Sequence, residues 1–446
     1  MKLSKYNILK DYEDKTLFFN SISCAFAIVD DNFKKVVSDI ENGVYNESKY
    51  DDKLIEQMKR TNAIIDNDFD ETEYIRYARN LSKYDMTSLG LTIAPTLDCN
   101  FRCIYCFENH IHGVMNENVQ NAVIDFIKAR TQKLKNLSIC WFGGEPLLSK
   151  SIIRNLSKKI MEICKECGIY YSASIISNAS LIDDTVINDF KLFKIEDIQV
   201  TLDGTEKIHD ARRKTVSGKS SFWKIVNNMK LLLENNITVS LRINIDNNNI
   251  SFVDDLLKLL SNEPIFKERL VITFGKVSAV SEVCKSVEKE CLTTEQYANS
   301  LIELYRQVLG YGFQKSLMVL YPKPHFNYCS YDYANSYVID PRGSIYKCWN
   351  HIGQKEKSCG SIMNKTMIPS KNFMKCVNRD IILKECADCY FLPICAGGCP
   401  DEAAQQSKGH SCESVKYNFD NMLNFYYEQF KKKENGNKRK SNGEVQ

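Results

Sequence analysis

The sequence predicts an α/β protein: an open, partial (β/α)6 barrel, preceded by a small strand-and-helix domain and followed by a cysteine-rich one. Three observations carry this. Between residues 89 and 280 six apolar runs alternate with amphipathic stretches; the first 85 residues show short strands and then helices; and after residue 311 the helical period gives way to aromatics and clustered cysteines. At 446 residues the chain exceeds what one hydrophobic core usually supports, so two or three domains are expected.

Residues 1–85 open with "KYNILKDY", "TLFFNS" and "CAFAIV", broken by the turn signal "EDK", and continue with helical segments starting near Asp31, Asp51 and Asp70. Residues 86–315 carry the strands "LGLTIAPT", "LSICWF", "YYSASIIS", "IEDIQVTL", "VSLRINI" and "VITFGKV", with helix-like stretches such as 116–133, 149–167, 221–235 and 293–311. Strands alternating with helices imply a parallel sheet, and six units in this length suit a partial barrel. Residues 316–430 form the cysteine-rich domain, and the charged, Gly/Asn-rich end, residues 431–446, reads as a disordered, solvated tail.

Composition narrows the function. A formal charge of +3 offers no basis for a nucleic-acid partner, and no apolar run is long enough to cross a bilayer. The N-terminus lacks a signal peptide's apolar core, so the expected location is cytoplasmic. Eighteen cysteines in such a chain point to metal or redox chemistry more than to disulfides.

In parallel β/α architectures, reactive groups gather where strands end. "TLDCNFRCIYCFE" follows the first strand and brings Cys99, Cys103 and Cys106 together; "GGEP" (Gly143 to Pro146) follows the second, "SNA" (Ser177 to Ala179) ends the third and Asp203-Gly204 the fourth. In the fifth, alternation puts Arg242, Asn244 and Asp246 on one face. Each small motif alone reads as a turn or a cap. Their common edge makes them a site. Three cysteines rather than four leave one metal position free for chemistry, or borrow a ligand from elsewhere.

Cys99-x3-Cys103-x2-Cys106, with an aromatic before the last cysteine, resembles the signature of radical S-adenosylmethionine (radical SAM) enzymes, and "GGEP" resembles their second motif. The resemblance spans roughly residues 89–280 and implies a TIM-like partial barrel. It also implies a 4Fe-4S cluster on the three thiolates, its fourth iron chelated by SAM, and reductive cleavage of SAM to a 5'-deoxyadenosyl radical. Carried onto this chain, Gly143 and Gly144 approach the methionine amino group and Glu145 supports that contact. Tyr105 meets adenine through its backbone, Ser174 and Asn178 lie at the ribose, and Arg213 and Arg242 meet the SAM carboxylate or ribose.

Further on stand Cys329, Cys348, then Cys386-x2-Cys389-x5-Cys395-x3-Cys399, then Cys412. By spacing alone this is a zinc-ribbon pattern. Beside a radical SAM core it resembles the SPASM extension, which implies two auxiliary 4Fe-4S clusters and hence three in all. Cys386, Cys389, Cys395 and Cys412 would hold one, and Cys329, Cys348 and Cys399 the other. Related sulfatase maturases have a further cysteine before the position of Cys329 and an aspartate where Trp349 stands, so the sulfatase-maturase reading loses support and one ligand is missing. Cys359 and Cys376 are candidates for it. Cys24, Cys140, Cys164, Cys167, Cys284 and Cys291 read as buried apolar residues.

Residues 1–85 resemble a winged-helix-like, PqqD-like leader-recognition domain. Together the three parts imply a maturase acting on a cysteine-containing precursor peptide with a leader segment, served by a reducing partner such as flavodoxin or ferredoxin. Thioether formation is the expected reaction, with carbon-carbon crosslinking and epimerisation as neighbouring activities. A zinc-organised binding protein is the reading from a different class. No catalytic base is evident.

Overall fold

The computed structural model describes residues 1–364, 369–406 and 409–441, with residue 319 and residues 433–441 described by backbone alone. Strands β1 (Asn7–Tyr12), β2 (Lys15–Asn20) and β3 (Ala25–Val29) form an antiparallel sheet with β2 at its centre. Helices α1 (Asp31–Glu41), α2 (Asp52–Arg60) and α3 (Glu71–Lys83) follow. Each begins where an aspartate can satisfy free N–H groups of the first turn: Asp30, Asp51 and Asp70 accept from backbone N–H groups two or three residues on. Such a cap contributes about 1 kcal/mol.

The central sheet takes β4 (Ser88–Ile93), β5 (Asn136–Trp141), β6 (Tyr170–Ile176), β7 (Ile195–Thr201), β8 (Thr238–Ile245) and β9 (Val271–Lys276), each parallel to the next in chain order. Among the connecting helices are α4 (Glu117–Lys128), α5 (Lys150–Glu166), α6 (Asp184–Leu192), α7 (Glu206–Arg212) and α8 (Phe222–Glu234). Alternation decides which face is which: Val239, Leu241, Ile243 and Ile245 of β8 are fully buried in the core, while Arg242 and Asn244 point the other way into a cavity.

The sheet does not stop at these six strands. β10 (Ser336–Ile339) pairs parallel with β4, Ser336 opposite Gly90, and β11 (Ser344–Tyr346) and β12 (Gly360–Ser361) extend it antiparallel to a total of nine strands. The C-terminal part is therefore continuous with the central sheet rather than a detached third domain. Gly90 permits the join, since a Cβ there would lie 3.0 Å from Ser336 Oγ.

The first 85 residues are not detached either. One side of β2, with Phe18, packs on α1 and α2, whereas Leu17 and Phe19 join the main core. After α9 (Val253–Leu260), α10 (Pro264–Arg269), α11 (Thr294–Gly310) and α12 (Lys371–Val377), the final helix α13 (Ser414–Ser441) lies along α11 and carries Tyr427 against Tyr12. It runs well into the segment expected to be a disordered tail. Lys431 is part of the reason, pairing with Glu13 at 2.8 Å and lying over the Tyr427 ring. Residues 442–446 of that tail lie outside the described residues.

Candidate functional site

The cysteine loop is held from three sides. Phe101–Cys103 forms a short strand antiparallel to Arg213–Thr215, which places Arg213 directly opposite Cys103. The loop after β5 docks on it by backbone: Glu145 N–H donates to Asp98 O at 2.8 Å. A Cβ on Gly143 would fall 2.2 Å from Thr96 O, and one on Gly144 would fall 2.3 Å from Asp98 O. Here glycine is required by chain-to-chain approach, and Gly143 additionally adopts φ +109°. The third contact is Asn178, whose Nδ2 donates to Asn100 Oδ1 at 2.9 Å.

Ser174 lies elsewhere than expected, and Glu145 acts from behind the cavity wall. Fully buried, Glu145 accepts from Leu147 N, Ser177 Oγ (2.8 Å) and Asn178 N (2.8 Å), so it clamps two strand ends together and does not line the cavity. Burial raises its carboxyl above the usual range. Ser174 sits within β6, two residues below the strand's end, hydrogen-bonded with Cys140; the side chains that reach the cavity are those of Ile176, Ser177 and Asn178. The strand's period put Ser174 on the right face but at the wrong depth.

The floor is a buried polar network. Asp203 accepts from the Tyr105 hydroxyl and from Asn244 N; Arg213 Nη1 donates to the Tyr105 hydroxyl at 2.8 Å; and Arg242 Nε donates to Asn244 Oδ1 at 2.8 Å. Next to it Arg212 pairs with Asp246 at 2.8 Å, so Asp246 serves structure and leaves Arg242 and Asn244 to face the cavity. Burial pushes the thiols of Cys99 and Cys106 up to about 12, and raises Cys103. In the absence of a bound cation they are neutral, and metal binding would displace their protons.

These elements enclose a cavity of about 370 Å³, within the range of small-ligand sites. Cys99, Cys103, Cys106 and Tyr105 line it from the loop, and Gly143, Gly144, Asn178, Arg213 and Arg242 from the strand ends. Trp349, Asn350 and Glu402 reach it from the C-terminal part, as does Lys276 from β9. Sequence reasoning did not assign Glu108, Lys276 or Glu402, which carry no motif. The buried atoms here that lack a hydrogen-bond partner include Arg213 Nε and Glu108 Oε2. Three thiols, an unpaired guanidinium nitrogen and close-set glycine backbone fit an iron-sulfur cluster with an anionic, amine-bearing ligand.

In the C-terminal part, Cys386, Cys389, Cys395 and Cys412 line one small pocket, with Lys416 Nζ donating to Cys412 Sγ at 3.4 Å. The chain between Cys395 and Cys399 turns back through left-handed Ala396, Gly397 and Gly398. Only glycine fits the last position, because a Cβ there would lie 1.6 Å from Ser411 O. Cys329 and Cys348 share a second buried group with Tyr331 and Cys376, and Cys399 lies close enough to raise the thiols of both. Cys164 is buried and Cys167 exposed at the end of α5, so this CxxC pair does not converge.

Residues 93–260 match the model of the radical SAM superfamily. A cysteine-type anaerobic sulfatase-maturating enzyme of Clostridium novyi is 24% identical over 370 residues, 76% of this chain and 96% of that protein. The radical SAM cyclopropyl synthase TigE of Paramaledivibacter caminithermalis is 22% identical over 443 residues, 89% of each chain. The crystal structure of Streptococcus suis SuiB bound to precursor peptide SuiA shares the fold with a TM-score of 0.52 at 15% identity, over 92% of this chain and 98% of that one. The strand-end site thus lies within the segment that matches the radical SAM superfamily, and the chain resembles radical SAM enzymes of the SPASM type. Among the described residues no helix is long and apolar enough to cross a membrane.

Proposed function

We propose that this chain matures a ribosomally made, cysteine-containing peptide by radical chemistry, forming thioether crosslinks. One observation carries the reading: the cavity is built jointly, with the three cysteines and the strand ends on one side and Trp349, Asn350 and Glu402 from the auxiliary-cysteine region on the other. A substrate held there would touch both. A 4Fe-4S cluster on Cys99, Cys103 and Cys106, with SAM, would supply the 5'-deoxyadenosyl radical that abstracts hydrogen. The chain's own part is to bind and orient. Arg213 and Arg242 would hold the SAM carboxylate or ribose; Gly143 and Gly144 would offer backbone to its amino group; Asn178 would meet the ribose and the Tyr105 backbone the adenine. Cys386, Cys389, Cys395 and Cys412 would hold one auxiliary cluster, and Cys329, Cys348 and Cys399 the other.

Residues 1–85 would read the leader by strand addition, where backbone pairing supplies affinity. β3 suits this as an edge strand with Ile28 exposed, whereas β1 faces α13 through Lys10–Asp420 and Tyr12–Glu428. A flavodoxin or ferredoxin in the cytoplasm would be the reductant.

The test searches the neighbouring reading frames for a short, cysteine-containing peptide and follows that peptide, incubated with this chain, by mass spectrometry. Thioether formation predicts a loss of two hydrogens per link and a cysteine that no longer alkylates. Replacing Cys99, Cys103 and Cys106 with alanine should abolish 5'-deoxyadenosine, and a zinc protein free of sulfide would end the reading. Carbon-carbon bond formation is the second reading, favoured by the cyclopropyl synthase that aligns over 89% of the chain; its product would lose hydrogen while every cysteine stays alkylatable.

A further inference from the structure

Cys329, Cys348 and Cys399 leave one iron of a four-iron cluster without a protein thiolate. Of the two spare cysteines nearby, Cys376 packs with Tyr331 against Cys348 and Cys329, and Cys359 is buried. Beside Cys348 there also stands an imidazole with a carboxylate. One ligand atom each from Cys348, His351 and Asp401 lies within 4.8 Å of the others, and all three residues are buried. His351 Nε2 is 2.7 Å from Asp401 Oδ1.

Both residues are set by the turns that set the cysteines. His351 ends the single 3₁₀ turn Trp349–His351, and its N–H donates to Cys348 O at 3.1 Å. Side chains three apart on such a turn eclipse one another, which brings the imidazole over the Cys348 sulfur. Asp401 follows Cys399 by two residues, at the start of the short helix Pro400–Gln405, and Asn350 Nδ2 donates to its other oxygen at 3.4 Å. A buried imidazole that spends one nitrogen on a carboxylate has its tautomer and ring orientation fixed, the usual arrangement of a metal-bound histidine.

We propose that His351 is the fourth protein ligand of the first auxiliary site, binding iron through Nδ1 while Asp401 accepts from Nε2–H. This rests on the reading of Cys329, Cys348 and Cys399 as cluster ligands. Exchanging a thiolate for a neutral imidazole removes one negative charge from the cluster and raises its potential. The group would thus be more easily reduced than the four-thiolate cluster on Cys386, Cys389, Cys395 and Cys412.

The experiment is pulsed electron paramagnetic resonance on the full-length, anaerobically purified holoenzyme, reduced and labelled with 15N-histidine. The expected result is a directly bound histidine nitrogen. His351→Ala should lose that coupling. His351→Cys should keep the iron content, lose the coupling and shift one midpoint potential to more negative values while the other two stay put. Absence of any bound histidine nitrogen in the wild-type protein, or its survival in His351→Ala, overturns the proposal without touching the cluster count. A Cys329→Ala variant that loses no iron, or zinc at this group, overturns the underlying cluster reading and the ligand with it.

Discussion

Arg79 of α3 donates through Nη2 to Asp332 Oδ1 at 3.1 Å, and both side chains are buried. Its Nη1 donates to Phe326 O and Asn327 Oδ1, and its Nη2 also reaches Arg379 O. Asp332 in turn accepts from Tyr328 N, beside Cys329, while Arg379 donates to Ala396 O and Gly398 O in the turn between Cys395 and Cys399. A helix of the N-terminal segment is thereby wired to the backbone carrying ligand candidates of both auxiliary sites. Lys5 and Ser21 add bonds to Ala387 O and Tyr390 O on either side of Cys389.

Arg79→Met should therefore damage the auxiliary sites selectively. Breaking a buried pair by removing one partner costs about 3–5 kcal/mol. On the three-cluster reading proposed above, iron per chain should fall from about twelve toward about four, the content of one cube, while 5'-deoxyadenosine formation persists; iron analysis beside the SAM-cleavage assay checks this. Deletion of residues 1–85, the segment that resembles a leader-recognition domain, should cost auxiliary iron as well as peptide binding.

Gly144→Ala tests the docking of the two loops. The new Cβ would meet Asp98 O at 2.3 Å, backbone against backbone, and neither loop can yield without moving Cys99. Overpacking of this kind costs about 1–3 kcal/mol. Both the thermal midpoint and SAM affinity should drop together, as calorimetry would record.

His209 gives the fold an acid limit. On α7, which leads into Arg212 and Arg213, it is fully buried, and burial, followed by the Arg213 charge, lowers its pKa from 6.5 to about 3. The unfolded chain then binds the extra proton between about pH 6.5 and about 3, so stability is complete above about pH 6.5 and falls as the pH drops through that window. His209→Gln should flatten the decline between about pH 6.5 and 5, where the wild-type slope carries about 1.4 kcal/mol per pH unit from this group. Thermal midpoints across that range would show no flattening if the imidazole is accessible to solvent.

Much of the site was legible because its signals are local. Cys99, Cys103 and Cys106, the "GGEP" turn and Asn178 are each defined within a few residues, and the caps Asp30, Asp51 and Asp70 announce their helices in the same way. Ser174 fails for depth, since alternation gives a side chain's face but not its distance from the strand end. Arg79 and Asp332 are 253 positions apart, and nothing in either neighbourhood names the other. The pairing of β10 with β4 is equally remote, so the sequence suggested separate domains where the sheet is continuous.

Gly275 supplies a complementary test of the cavity floor. On β9 it lies beneath the Arg242 guanidinium, and a Cβ there would fall 2.2 Å from Arg242 Nη2. Unlike Gly144, its neighbour is the far end of a flexible side chain, and its backbone is not left-handed. Gly275→Ala should therefore leave the thermal midpoint nearly unchanged while lifting the guanidinium away from Asn244 Oδ1 and out of register with the cavity. A charged hydrogen bond to a ligand is worth about 1.5–3 kcal/mol, so SAM affinity should fall about ten- to hundred-fold. Equilibrium binding measured beside a melting curve separates the outcomes. Lost stability would mean that β9 itself moved, and unchanged affinity would remove Arg242 from the SAM site.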